Sequence, residues 1–527
     1  MTRREFVATT ATLSSLACVA DPIAEAQTQA AVDNILDAKR PNILLIIADQ
    51  HRFDCLGCSG NSEVRTPHID ALAQDGVRHT QCICPYPVCT PSRYSLITGR
   101  YVFEHRGYSN HCTLPPEFET FPRMLRDAGY ETKAVGKMHY TPTYLDVGFQ
   151  EMVLAEQNGP GRWDDDYHRE LRAAGLVNAS DLEDQESRFR KEARPEYWKT
   201  FGALPSNLPE EFHSTSWVGR KTLESLEDWG TGPQLLVASF VKPHHPFDPP
   251  ANWASRYDAE KLSILPGWSD TVFDHDQRLN KGYFENASLT QESLRRVMAH
   301  YYAGIEHIDA QVGALVDALK QRGLYDDTVI VYTSDHGEYL GQHHLLLKGN
   351  YMYEALTRVP LIIKYPQQQR SGTVSNGLTN LVDLAPTLLQ QARLAPAPGM
   401  KGLNLAERPD GRPIDFSEGH NGEQRMARTA THKLIVHDGT GDHQFYELDK
   451  DPWEMENRYA DPGFQNQIHF MTQAMNAWRD PALRVQPHVD ENAPVIDAPN
   501  VPPSDGAHRD LLQTWTTGQM KGIWERT

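Results

Sequence analysis

Beyond Cys112 the 527-residue sequence contains no cysteine; all seven (Cys18, Cys55, Cys58, Cys82, Cys84, Cys89 and Cys112) stand at or before that position. Such crowding excludes a framework of disulfides spread through the fold. Positive charge is also scarce. The 51 Lys+Arg against 70 Asp+Glu leave a net charge of −19, which argues against a nucleic-acid binder, because neutralising phosphates requires a basic face. Nowhere do roughly 18 apolar residues follow one another, so no segment is long enough to span a bilayer as a helix, and no internal repeat is visible. What is present is ordinary for a folded chain: 39% hydrophobic and 9% aromatic residues exclude a mainly disordered protein. The length allows one large domain and a smaller one.

The first 26 residues read as an export signal. Thr2-Arg3-Arg4-Glu5-Phe6-Val7 places paired arginines ahead of a weakly apolar run to Ala20, and Ala24-Glu25-Ala26 offers small residues for cleavage before Gln27. The segment resembles a bacterial twin-arginine signal, which predicts a periplasmic or secreted protein. Cys18 would leave with it.

Strands then alternate with helices. Asn42 to Ala48 is a short apolar run ended by Asp49 and Gln50, as expected of a strand buried on both faces of a parallel sheet. Thr66-Pro67 predicts a capped helix start, and Thr120 to Ala128 a helix stopped by Gly129, followed by a strand through Val135. Gln234 to Val241 and Thr328 to Thr333 are further strands. Between them Ser288 and Gln291 have capping-box spacing, and apolar residues from Leu294 to Leu319 recur every three or four positions, predicting one long amphipathic helix. From about Gly402 the pattern changes: Gln424 to His437 and Gln444 to Leu448 read as short strands around the turn Asp438–Asp442, and Gln465 to Trp478 as a closing helix. The expected organisation is a catalytic domain over residues 40–400, a C-terminal α+β subdomain over 401–480 and a proline-rich tail over 481–527.

In open α/β sheets, ligands bind at the carboxyl ends of strands. Four strand ends carry Asp49/Gln50, Lys137/His139, His244/His245 and Asp335/His336. Each pair alone is unremarkable, a cap or a packed histidine, but four in one sheet point to a site. The chemistry begins at Cys89-Thr90-Pro91-Ser92-Arg93, a cysteine at the start of a helix ending at Gly99. A helix N-terminus favours anions and lowers thiol pKa.

Cys-x-Pro-Ser-Arg followed after four residues by Thr98-Gly99 resembles the signature of type I sulfatases of the alkaline phosphatase-like superfamily, whose cysteine is oxidised to formylglycine. The resemblance runs from Pro41 to about Arg458 in family order: Pro41 to Gln50, Gly136-Lys137-Met138-His139, Pro243-His244-His245-Pro246-Phe247, Ser334 to Glu338, Lys348, and Phe445 through Asn457. It implies an α/β fold with a large, mostly parallel central sheet flanked by helices and a smaller C-terminal α+β subdomain. It also implies hydrolysis of a sulfated carbohydrate or an aryl or alkyl sulfate, and modification by a formylglycine-generating enzyme. A divalent metal, Ca²⁺ or alternatively Mn²⁺, would be held by Asp49, Gln50, residue 89, Asp335 and His336. Lys137, Lys348 and Arg93 would surround the sulfate, His244 would protonate the leaving group, Asp335 would take the nucleophile's proton, and His139 would deprotonate the second hydroxyl of the hydrated aldehyde. With a gem-diol, one oxygen attacks sulfur and the other expels sulfate; a thiol adduct would have no such exit.

Gln50 and His336 stand where many sulfatases have aspartate and asparagine. Asp-Gln with Asp-His is typical of related phosphonate monoester and phosphodiester hydrolases, which form the alternative reading. A glycan-binding protein with a dead site would follow only if Cys89 escapes oxidation. Cys55-x-x-Cys58 and Cys82-x-Cys84 have metal or redox spacing, yet a packed structural role is expected of them. Between Glu156 and Trp229 an irregular stretch holds Trp163, Tyr167, Tyr197, Trp198 and Trp217, candidates for sugar stacking or loop packing, and Asp164–Asp166, expected as a solvated acidic run.

Overall fold

The apolar run that begins at Asn42 forms an interior strand of the main sheet. In this computed structural model, which describes residues 40–156, 165–176, 193–483, 485–490 and 493–496, the first strand, β1 (Asn42–Asp49), is buried at every position. The expected signal, Cys18, Trp163, Asp164 and most of the tail lie outside the described residues. The remaining strands of the main sheet are β2 (Val77–Ile83), β3 (Glu131–Gly136), β4 (Glu151–Leu154), β5 (Gln234–Pro243), β6 (Thr328–Thr333), β7 (Arg358–Lys364) and β8 (Thr373–Asn380). Their order is β4-β3-β5-β1-β6-β7-β2-β8. All pairings are parallel except those of β7, which runs antiparallel to β6 and β2.

Helices cover both faces, which is why β1 shows no polar alternation. Ile43, Leu45 and Ile47 pack beneath α2 (Cys89–Thr98), α3 (Phe121–Asp127) and α6 (Leu384–Gln391). Leu44, Ile46 and Ala48 face α1 (Pro67–Asp75), α4 (Ser214–Glu227) and α5 (Gln291–Gln321). The amphipathic helix α5 is capped by Thr290 with Ser293, two residues later than the cap expected at Ser288; Ser288 instead closes a short 3-10 turn, its hydroxyl bonding Glu285 O. Thr66 precedes α1 but does not cap it: its hydroxyl accepts from Gly57 N and donates to Asp70.

A second, antiparallel sheet, β12-β11-β10-β9, comprises β9 (Ile414–Gly419), β10 (Gln424–Thr429), β11 (His432–His437) and β12 (Gln444–Glu447). The stretch read as one strand from Gln424 to His437 is two, turned at Ala430-Thr431. Helix α7 (Gln465–Trp478) buries Ile468, Met471 and Met475 against this sheet. Asp165 and Asp166 are not a solvated run. Asp165 is fully buried at the start of the helix Asp166–Ala173, bonding the backbone and ring of His168 and the backbone N–H of Glu156. Among the described residues no helix is long and apolar enough to cross a membrane.

Candidate active site

The carboxyl ends of β1, β3, β5 and β6 converge on the first turn of α2. Cys89 is the first residue of that helix, after Val88 in extended conformation, and Gly99 ends it in the left-handed region. The Cys89 Sγ lies 3.3 Å from His336 Nε2, 3.3 Å from Lys348 Nζ, 3.7 Å from Asp49 Oδ1 and 3.9 Å from Lys137 Nζ. One turn on, Arg93 bridges the two aspartates: Nε to Asp335 Oδ2 at 2.8 Å and Nη2 to Asp49 Oδ2 at 3.1 Å, with Nη1 on Lys137 O and Ser239 Oγ. Lys137 adds a 2.5 Å pair to Asp49. All these side chains except Lys348, which is partly buried, are essentially sealed from solvent. Ten of the sequence-named residues thus lie in or against one cluster: Asp49, Gln50, Cys89, Arg93, Lys137, His139, His244, Asp335, His336 and Lys348.

Electrostatics follow from this packing. Burial works against ionisation of Asp49, but Lys137, His244 and Arg93 outweigh it and hold the carboxyl well below its ordinary range. Burial and Asp49 push the Cys89 thiol up, yet Lys137, Lys348 and His336 bring it down to about 6. Burial and the neighbouring Lys348 and His245 push His244 down, while burial and Lys137 push His139 down to about 3. Both rings are therefore neutral. His336 is raised: burial and Lys348 work against its protonation, but Asp335 and Cys89 outweigh them.

Several supporting residues escaped the sequence reading. Buried Glu338 accepts the Gln50 Nε2 and the backbone N–H groups of Leu340 and Leu347. With its nitrogen so engaged, the Gln50 amide turns Oε1 toward the cluster, 3.1 Å from Lys348 Nζ. Glu156 likewise accepts the N–H groups of Met138 and His139, fixing His139 at a φ of 57°. Ser92 Oγ donates to Asp335 O. Glu338 stood in the quoted Ser334 to Glu338 segment, but only its contact with Gln50 reveals its part. Tyr167 and Trp217 are buried core residues, whereas Trp198 is 38% exposed. The thiols of Cys55, Cys58, Cys82, Cys84 and Cys112 are free, and burial pushes all of them up, an inert packing state.

The donor set also suits a metal. Asp49, Cys89, Asp335 and His336 each present a ligating atom, and all four lie within 4.8 Å of one another. The Gln50 amide oxygen faces the same space. His336 Nδ1 donates to Gly337 O at 2.9 Å, which fixes the tautomer and leaves Nε2 as the ligating atom. Carboxylate and amide oxygens are the donors of Ca²⁺, and the imidazole shifts preference toward Mn²⁺.

Residues 41–394 match the Sulfatase family model, and residues 341–480 the model of the N-sulphoglucosamine sulphohydrolase C-terminal region. The chain is 29% identical over 455 residues to an arylsulfatase of Clostridium perfringens, covering 82% of this chain and 93% of the relative. It is 27% identical to an N-acetylglucosamine-6-O-sulfatase of Bacteroides thetaiotaomicron, covering 82% and 83%. The crystal structure of a phosphonate monoester hydrolase of Agrobacterium radiobacter superposes with a TM-score of 0.72 at 25% identity, covering 84% of this chain and 96% of that one. With a family model spanning the whole main sheet and its site, the chain belongs to the sulfatase family.

Proposed function

We propose that the protein is an exported hydrolase of sulfate esters, acting on a sulfated carbohydrate or an aryl or alkyl sulfate, with residue 89 in its formylglycine form. The observation that carries this reading is the convergence of two cationic side chains, an imidazole and a carboxylate within 4 Å of the Cys89 Sγ. That arrangement matches a reacting centre on which negative charge moves. Asp49, Gln50, Asp335, His336 and residue 89 would hold a divalent cation, which when bound supplies Lewis-acid polarisation of a sulfate oxygen. The hydrated aldehyde supplies one hydroxyl for attack on sulfur and a second for release of sulfate.

The chain's own groups then divide the proton work. Asp335, oriented by two backbone N–H groups on Oδ1 and by Arg93 on Oδ2, takes the proton of the attacking hydroxyl. Lys137 and Lys348 offset charge beside residue 89. His244 Nδ1 donates to His245 O at 2.6 Å, so its Nε2 is the nitrogen free to carry a proton to the leaving oxygen; the negative charge of bound sulfate ester favours that protonation. His139 is neutral, and its Nδ1 has no hydrogen-bond partner, so it is available as base for the second hydroxyl.

Replacing Cys89 with Ala is expected to abolish turnover of an aryl sulfate while leaving the circular dichroism unchanged; full activity in that variant overturns the proposal. A second reading, a phosphonate monoester or phosphodiester hydrolase, is favoured by Gln50 and His336 in the cluster and by the fold likeness to the Agrobacterium radiobacter enzyme. Turnover of an aryl sulfate and an aryl phosphonate monoester on one preparation separates the two: preference for the sulfate supports the first, for the phosphonate the second.

A further inference from the structure

The turn that carries His244 leaves β5 where that strand falls out of step with β1. Ala48 pairs with Phe240 and Asp49 with Pro243, so Val241 and Lys242 together occupy one step of the ladder; bulges of this kind re-aim side chains beside active sites. The residues that follow, Pro243-His244-His245-Pro246, include two prolines and so lack two of their four backbone N–H donors. The carbonyls of the turn must find donors elsewhere.

Lys242 supplies them. Its buried ammonium donates to Pro246 O at 2.7 Å, to His244 O at 3.5 Å and to the Asp248 carboxylate, one acceptor for each of its three N–H groups. All three acceptors lie in the short segment that follows it in the chain. The carbonyl between the two, His245 O, accepts the His244 Nδ1 at 2.6 Å, and the two imidazoles stack with centroids 4.4 Å apart. His244 is thus held at its backbone by Lys242, and at its ring by a carbonyl whose neighbours on both sides are bonded to Lys242. Burying an ion pair is costly, and apolar residues of like volume often replace one without loss of stability. Stability alone therefore does not account for an ammonium at this position.

We infer that Lys242 is a positioning residue for the proton donor: it fixes the turn so that the His245 carbonyl orients the His244 ring and Nε2 is presented to the leaving oxygen. Asp248 holds the ammonium in place. The inference rests on the role given to His244 in the proposed function. Its consequence depends on the leaving group, because a general acid matters most where the departing oxygen is basic. Phenolate, with a basicity near that of the tyrosine side chain at about 10, needs the proton, whereas nitrophenolate is a far weaker base and leaves largely unaided.

Steady-state turnover of phenyl sulfate and of 4-nitrophenyl sulfate by the full chain tests this. His244→Ala should lower kcat on phenyl sulfate by about 100-fold or more, and on 4-nitrophenyl sulfate much less. The double variant Lys242→Met with Asp248→Asn strands neither charge, and it should show the same excess loss on phenyl sulfate, about tenfold or more, in kcat rather than KM. Lys242→Gln keeps an N–H for one carbonyl and should show a smaller excess of the same sign. A merely structural role would lower turnover of the two esters alike. Equal losses on both esters in both Lys242 variants, with His244→Ala still discriminating between them, overturn the inference and leave the proposed function standing. If His244→Ala does not discriminate either, its role as proton donor falls and the inference falls with it.

Discussion

Arg93 is the residue whose removal tests the electrostatic design most severely. Its guanidinium makes the 2.8 Å and 3.1 Å contacts that separate Asp335 from Asp49, in a setting where both carboxylates are fully buried. Arg93→Met keeps the length of the apolar stem but leaves Asp335 without its close ion pair; Asp49 retains Lys137 at 2.5 Å. Stranding one buried carboxylate of such a pair costs about 3–5 kcal/mol. Arg93→Lys keeps the charge but reaches only one carboxylate, so about 1.5–3 kcal/mol, one charged hydrogen bond, is the expected loss. A divalent cation shared by the same aspartates would offset much of either cost. Urea unfolding followed by tryptophan fluorescence, in chelator and again in excess Ca²⁺, gives both numbers. A loss below about 1 kcal/mol for Arg93→Met in chelator, or an equal loss with and without cation, would refute the reasoning.

Other consequences are more local. Gly136 sits at a φ of +94°, and a Cβ there would fall 2.0 Å from Ser239 O; Gly136→Ala should displace Lys137 and lower kcat far more than it lowers secondary structure by circular dichroism. In Glu338→Gln one face of the side chain becomes an N–H donor opposed to the Gln50 amide or the loop N–H groups, so metal affinity by calcium titration should fall about 10–100-fold with the fold retained. Burial pushes Glu418 up to about 7 against the opposing Arg479. Because the folded chain holds that proton longer than the unfolded one, this group's contribution is lost as pH rises from about 4 to about 7. Glu418→Gln should remove that slope from the pH dependence of stability; an identical slope in the variant counts against it.

The fold was legible where burial is two-sided or the amphipathic period is long. β1 announces itself as an apolar run because helices cover both its faces, and α5 because its stripe recurs over 31 residues. β9 was missed for the opposite reason: its buried positions include Asp415, paired with Arg412 just before the strand, and Glu418, paired with Arg479 far along the chain, and buried charges interrupt the apolar pattern by which a strand is read. The same holds for the site. Residues at strand ends could be named from sequence because the sheet's geometry gathers strand ends, and Cys89 because its motif is long. Glu338 and Glu156 act on backbone N–H groups and an amide flip, which only the folded chain displays. The acidic run at Asp165–Asp166 misled because a buried carboxylate with three hydrogen bonds and a solvated one are the same letter in a sequence.

The central claim concerns the chemical state of one residue. Mass spectrometry of the tryptic peptide containing residue 89, from enzyme that turns over an aryl sulfate, tests it directly. The account predicts that the thiol has been replaced by an aldehyde, with sulfur and two hydrogens lost and one oxygen gained, in proportion to specific activity across preparations. Fully active enzyme in which residue 89 is an unaltered cysteine would contradict it.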